Sequence, residues 1–295
     1  MTRRQKLALG VTIWLGGTVA LYVGLGKAPK NTSYKPQNEF KLDTWVNLGI
    51  FSINKAVLYL VLAAFFTCFT MIYVARRMQQ RPNRVQTAVE LIFQLMRNNI
   101  VGGSMDRDMA VKWFPFIATL CLFIFFSNLI GFIPLPTNTE HTFSLFGANI
   151  PSFSLYAATA NLSIPLVLAL VVFVSYTAEG IRTKGPIGYL RSLVPGGVSG
   201  KMKPFIFGLE LLSNLMRLIS LSVRLFANIL AGHLIILFMA GALAVLLGVA
   251  WLGWFTLPFG ILLFAFEVGL VAALQAFIFA TLTAIYLGGA VAEHH

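Results

Sequence analysis

The chain has 295 residues, of which 58% are hydrophobic and 11% charged, with a formal net charge of +12, and its mean hydropathy is +0.80. That balance excludes a soluble globular enzyme and reads as an all-α, multi-pass integral membrane protein. The basic residues bracket apolar spans instead of clustering with aromatics on a polar domain, so the charge reports topology and argues against nucleic acid as a partner. Cys68 and Cys121 fall inside apolar spans without metal-like spacing, which predicts neither a disulfide nor a metal site, and no bound cofactor is implied.

The first 49 residues read as one unit. The basic start MTRRQK is followed by an uncharged run from Leu7 to Gly26, long enough at about 1.5 Å per residue to cross a hydrocarbon core of about 30 Å. A cleaved signal and a retained anchor both fit. The length of the run and the lack of an A-x-A site before Lys27 favour an anchor with its N-terminus inside. The polar segment 27–48 then lies outside.

Residues 50–295 form the second, polytopic unit. A span from about Ile50 to Val74 stops at Arg76, Arg77, Arg81 and Arg84, which places its C-terminal end in the cytoplasm. In residues 85–100, Val85, Val89, Ile92, Phe93 and Met96 recur at helical spacing opposite Gln86, Glu90, Gln94 and Arg97. This segment is too short and polar to cross and reads as an amphipathic surface helix. Val111 to Pro134 crosses outward, the polar run from Leu135 to Ser154 forms an external loop, and Tyr156 to Gly180 returns inward. Within the returning span, Asn161 and Pro165 interrupt the apolar pattern, and an interhelical hydrogen bond is the simpler role for Asn161. Arg182, Lys184, Arg191, Lys201 and Lys203 make a second cytoplasmic loop, in agreement with the first.

From Pro204 to about Leu247 and from Gly253 to about Ala292 the chain reads as two long apolar helices joined near Gly248 to Pro258. Forty residues would make about 60 Å, roughly twice the bilayer core, so the pair is expected to form a steeply tilted hairpin at about 204–292.

The first of these helices carries charge deep inside it. Arg217 and Arg224 are costly in lipid, at about 2.5–3.5 kcal/mol each on insertion scales, and such residues face water, a partner or a task. At 100° per residue, Glu210, Ser213, Asn214, Arg217, Ser220 and Asn228 fall within about 80° of Arg224, whereas Ser222 and His233 lie at about 160° and 180°. One explanation is a seam between helices with Arg217 paired to Glu210. It leaves Arg224 unexplained, because no carboxylate lies one turn away on either side. Arg224 then pairs with Glu267 of the last helix or awaits an acid on another polypeptide. On that account cysteines near Asn214, Leu221 and Asn228 face the partner and one at Ser222 does not. Glu267, in apolar surroundings, is a candidate proton carrier, with a salt bridge to Arg224 or a hydrogen bond to His233 as the structural alternative. Gln275 follows it on the same helix.

The segments VQTAVELI (85–92), NLIGFIP (128–134), LSVRLFANILAGH (221–233) and LQAFIFATLTAIYL (274–287), in this order, resemble the a subunit of the membrane sector of rotary ATP synthases. The resemblance covers most of the chain after residue 50. It implies that Arg224 faces a ring of c subunits and that Glu210, Asn228, His233, Gln275 and the acid of the last helix line two aqueous half-channels, with Ser220 and Asn161 placed along the same path. It also implies a b-type peripheral stalk and the remaining synthase subunits as partners, and the plasma membrane of a bacterium as the location. This chain departs from the family in three ways. The ionisable residue of the last helix usually lies about seven residues before the glutamine, where Val268 stands here, and Glu267 is one residue earlier. Asn161 occupies a position where many members have aspartate. The Leu7 to Gly26 span has no counterpart in shorter members.

A stand-alone secondary ion transporter is the alternative reading, but it calls for internal repeats and paired broken helices, and neither is evident in the sequence. A membrane enzyme acting on lipid-linked substrates calls for clustered acids, whereas these are scattered. No nucleotide-binding glycine loop is present, so any ATP chemistry belongs to other chains.

Overall fold

The computed structural model describes residues 3–25, 44–48, 51–77, 83–145, 148–154, 156–194, 200, 202–239, 244 and 247–292. Most of the 27–48 segment, Arg81, Lys201 and residues 240–243 and 245–246 near the end of the first expected long helix lie outside the described residues. Helices dominate: α1 (Arg3–Leu25), α2 (Lys55–Arg76), α3 (Arg84–Leu95), α4 (Arg107–Gly131), α5 (Ser163–Lys184), α6 (Pro186–Ser192), α7 (Lys203–Leu237), α8 (Ala250–Phe266) and α9 (Ala272–Val291). A π-helical turn, Glu267–Val271, joins α8 to α9, and another, Met96–Val101, extends α3. Among the described residues six helices are long and apolar enough to cross a membrane. The chain is an all-α integral membrane protein with a long C-terminal helical segment.

Several boundaries differ from the sequence expectation. The second span begins at Lys55 and not at Ile50, because Phe51–Asn54 is a strand (β2) paired antiparallel with Thr44–Leu48 (β1). The expected external loop is likewise a hairpin of Leu135–Leu145 (β3) and Ala148–Ser154 (β4). Pro258 lies inside α8 instead of in the turn, while Gly248 keeps a turn conformation with φ 67°. Helix α5 starts only at Ser163, so Asn161 precedes it. Its Oδ1 accepts the Ser163 N–H at 3.1 Å, a local capping bond and not the interhelical one expected. Pro165 then falls in the first turn, where a missing N–H costs nothing. The amphipathic segment forms as α3, with Asn83 Oδ1 accepting from Arg84 N at 2.7 Å.

The chain divides into two compact units. The first comprises Met1–Lys55, Gly131–Tyr156 and Asn228–Val271. In it α1 and α8 run antiparallel through a reciprocal clasp. Trp14 Nε1 donates to Trp254 O at 3.1 Å, and Trp254 Nε1 donates to Trp14 O at 3.2 Å. Trp14 stacks on Phe255 at 5.1 Å, and Tyr22 meets Trp251 edge-on at 5.7 Å. A Cβ on Gly17 would stand 3.0 Å from Trp254 Nε1, so the close approach depends on that glycine. The end of α7 packs on α8, with Thr256 Oγ1 donating to Met239 O at 2.8 Å.

The second unit comprises Ala56–Ile130, Ala157–Ala227 and Ala272–His295. Here α5 and α9 lie side by side in the same direction, through Tyr176 against Tyr286 at 5.9 Å and Lys184 Nζ donating to Ala292 O at 2.7 Å. Lys112 of α4 pairs with Glu179 of α5, whose side chain is 6% exposed. Glu179 is therefore a buried carboxylate that the sequence reading did not count as embedded. Its partner lies 67 residues away, beyond the reach of any local pattern. Asn128 and Thr159, both fully buried, form another pair the sequence did not reveal. Thr159 Oγ1 donates to Asn128 Oδ1 at 2.8 Å, and Asn128 Nδ2 reaches Ala272 O at 3.5 Å. Each satisfies the other in an otherwise apolar interior.

Candidate functional site

Helix α7 separates its faces sharply over its second half. Leu221, Ser222, Leu225, Ile229, Gly232, His233 and Ile236 are buried, while Arg217, Ser220, Val223, Arg224, Ala227, Asn228, Ala231 and Ile235 are exposed. The exposed set contains Arg217, Ser220, Arg224 and Asn228 from the polar stripe, and Glu210, one turn or more before it, is half-buried. Two stripe positions behave otherwise: Leu221 is 3% and Asn214 8% exposed. They sit at the edge of the stripe, about 60° and 80° from Arg224, and the chain's own packing covers them. The partner-facing arc is thus narrower than the helical wheel suggests. Ser222, at 1%, is buried as expected for the far side.

Among the described residues the carboxylate–cation pair present is Lys112 with Glu179, and the Arg217–Glu210 pair is not formed. Arg217 instead places its guanidinium over the Tyr286 ring, 5.6 Å from the centroid, a contact that holds a cation without neutralising it. Arg224 takes neither a hydrogen bond nor an ion pair among the described residues. It is an exposed, uncompensated cation on an apolar span.

In the first unit, His233 and Glu267 meet the same turn of α7. His233 is 3% exposed, its ring stacks on Phe132 at 4.7 Å, and its two nitrogens face carbonyls, Nδ1 at 3.0 Å from Ile229 O and Nε2 at 3.1 Å from Gly131 O. A neutral imidazole can donate to one of these acceptors, and a protonated one donates to both. Glu267 packs its carboxylate against Gly232, the residue before His233. A Cβ on Gly232 would stand 2.7 Å from Oε1, and closer still to Cδ and Oε2. Glu267 Oε2 is buried and has no hydrogen-bond partner among the described residues. The Glu267 carboxylate thus meets α7 one residue before His233, whose ring nitrogens face Ile229 O and Gly131 O and not the carboxylate. In the second unit Gln275 is 5% exposed on α9, and Asn161, half-buried, caps α5. Among the described residues no group of three His, Cys, Asp or Glu could hold a metal ion.

The chain is thus a multi-pass helical membrane protein with an arginine that has no ionic partner among the described residues on a long apolar span. The model for the ATP synthase A chain matches residues 57–288. ATP synthase subunit a of Rubrobacter xylanophilus is 36% identical over 238 residues, covering 80% of this chain and 83% of that protein. The same subunit from Pelagibacter ubique is 31% identical, covering 88% and 98%, and that from Bradyrhizobium diazoefficiens is 32% identical, also covering 88% and 98%. The chain belongs to the ATP synthase A-chain family, the subunit a of the membrane sector.

Proposed function

We propose that the chain is the stator half of a rotary proton path: protons pass through two half-channels to and from carboxylates on a ring of c subunits, and Arg224 keeps the two halves apart. The observation that carries this reading is the position of Arg224, exposed and without an ionic partner on a helix whose opposite face is buried. A ring carboxylate that is protonated can travel through lipid as a neutral acid, and it gives up that proton where it meets a fixed cation. Guanidinium serves because it stays charged at any accessible pH, whereas an ammonium can deprotonate. The same charge repels a proton that would cross directly, so flux requires rotation.

Around this gate, Asn228, Ser220 and Glu210 line the side that meets the ring. His233, Glu267 and Gln275 supply polar atoms to a half-channel, and Asn161 belongs to the same outer path. Carbonyls at both ring nitrogens fix the orientation of His233; they accept and supply no proton, so a relay through the ring requires a water or an acid to take the place of one of them. The α7 and α8–α9 hairpin lies steeply tilted so as to follow the curved ring, and a b-type peripheral stalk holds the stator with the remaining synthase subunits. The location is the plasma membrane of a bacterium, with the ends of α2 and α5 inside. The Trp14–Trp254 clasp supports retention of α1, because a helix destined for removal has no need of a fitted partner, and the basic start MTRRQK supports an N-terminus in the cytoplasm.

Mass measurement of the purified native complex tests this assembly. The expected result is one copy of this chain, at a mass that includes residues 1–25, together with a c ring and stalk subunits. A chain that purifies alone as a functional transporter, or one lacking α1, contradicts the reading.

A further inference from the structure

Helix α3 has 12 residues, too few to cross a bilayer core of about 30 Å, and its exposed Leu91, Ile92 and Leu95 suit a helix lying at a membrane surface. Between the end of α3 and the start of α4, within the second unit, lies a cleft of about 630 Å³. Along α4, Arg107, Ala110, Val111 and Phe114 all line it. They recur at i, i+3, i+4 and i+7 and share one face, with Phe114 about 10 Å further into the span than Arg107. From α3 the wall is completed by Phe93 and, one turn on, by Arg97 and Asn98. The Phe93 and Phe114 rings meet edge-on at 4.6 Å, so both helices close the aromatic end, and the two arginines stand toward the connecting loop.

Basic residues at the end of an apolar span are ordinary. What sets Arg97 and Arg107 apart is that they share one cleft and have no counter-charge in it. Neither takes an ion pair among the described residues, and none of the residues lining the cleft is an acid. The acids nearest in sequence are engaged or placed elsewhere. Glu90 accepts from Gln86 Nε2 at 2.6 Å, Asp106 lines a neighbouring cavity with Gly288 and Ala292, and Asp108 lines neither space.

We propose that this cleft holds an anionic phospholipid, its phosphate between Arg97 and Arg107 and its glycerol and upper acyl chain along Val111 and Phe114. Guanidinium presents paired N–H donors that match phosphate oxygens, and the Asn98 amide adds another donor. A zwitterionic headgroup fits poorly, since its ammonium meets two cations and no lining carboxylate. A soluble phosphate ester fits poorly too, because it leaves the apolar end of the cleft unfilled. The wall follows the first two turns of a helix long and apolar enough to span the membrane, which matches a ligand charged at the interface and apolar below it. The site is independent of the proton path.

The test uses the assembled complex in phosphatidylcholine vesicles doped with photoactivatable phosphatidylglycerol, its diazirine in the upper acyl chain, and maps the labelled peptides of this chain. Label is expected on residues 93–114, severalfold above that from a matched phosphatidylcholine probe. Arg97→Gln and Arg107→Gln should each lower it by about fivefold, the preference that one arginine near the surface gives an anionic lipid. Unlabelled phosphatidylglycerol should compete, and inorganic phosphate in millimolar excess should not. Equal labelling by the two probes, unchanged labelling in both arginine variants, or loss of the label to inorganic phosphate overturns the proposal. So does an unlabelled segment in the assembled complex, which would mean that another subunit covers the cleft. Label is counted per assembled chain, and if a variant fails to assemble, the comparison of the two probes on the parent complex decides.

Discussion

Arg224→Ala is expected to abolish proton-driven ATP synthesis in reconstituted vesicles while the complex still assembles. The arginine makes no ion pair or hydrogen bond among the described residues, so its own helix loses no recorded interaction when it goes. Its removal even relieves the cost of a cation on an apolar span, about 2.5–3.5 kcal/mol on insertion scales. What disappears is the barrier between the half-channels. Passive proton leak through the membrane sector should rise as synthesis falls. Arg224→Lys should recover little, because an ammonium is a deprotonatable point charge on a flexible stem. Arg217→Ala differs in kind: that guanidinium sits over Tyr286 at 5.6 Å, so its loss should cost about 0.5–2 kcal/mol of packing and lower the amount of assembled protein more than its turnover. Equal loss of turnover per assembled complex in both variants would mean that the gate comprises both arginines.

The second large effect is expected at Gly232. A methyl group there overlaps the Glu267 carboxylate, and Gly232 is itself buried, a setting in which small-to-large changes cost about 1–3 kcal/mol. Gly232→Ala should therefore displace Glu267 and reduce proton flux severalfold or more, and Gly232→Val should do so more strongly. Shortening the acid in the same chain, Gly232→Ala with Glu267→Asp, should return part of the flux, since aspartate keeps the charge and draws the carboxylate back by one methylene. Non-additivity of the pair in a double-mutant cycle measures the contact. Simple additivity would place Glu267 away from the Gly232 slot in the working complex.

The helices long and apolar enough to cross a membrane were legible because burial in lipid demands long uninterrupted apolar runs, and basic residues such as Arg76 and Arg77 mark where a run stops. The amphipathic α3 was legible for the same reason, through its period. The polar stripe of α7 was visible as a helical wheel, but a wheel does not say where the neighbouring helices end. Hence Asn214 and Leu221 were placed on the partner-facing side, whereas they are 8% and 3% exposed. Pairings across helices were not legible at all: Lys112 with Glu179, Thr159 with Asn128 and Arg217 with Tyr286 depend on tertiary register that no local pattern carries. The segment 135–154 was read as a polar external loop and Phe51–Asn54 as the start of the second span, since neither has a clean apolar alternation to mark a strand. Nor was the π turn visible. Glu267, Val268, Gly269, Leu270 and Val271 contain no proline and no pattern specific to a wide turn.

The claim on which the account rests is that the exposed stripe of α7 faces the rotor. Disulfide cross-linking in native membranes tests it most directly, with single cysteines at Ser220, Asn228, Ser222 and Ile229 paired with a cysteine beside the conserved carboxylate of the c subunit. Ser220 and Asn228 are exposed, and Ser222 and Ile229 are buried on the other side. The account predicts cross-linked a–c product from Ser220→Cys and Asn228→Cys and none from Ser222→Cys or Ile229→Cys. Product from the buried pair at the level of the exposed pair, or from neither, would contradict it.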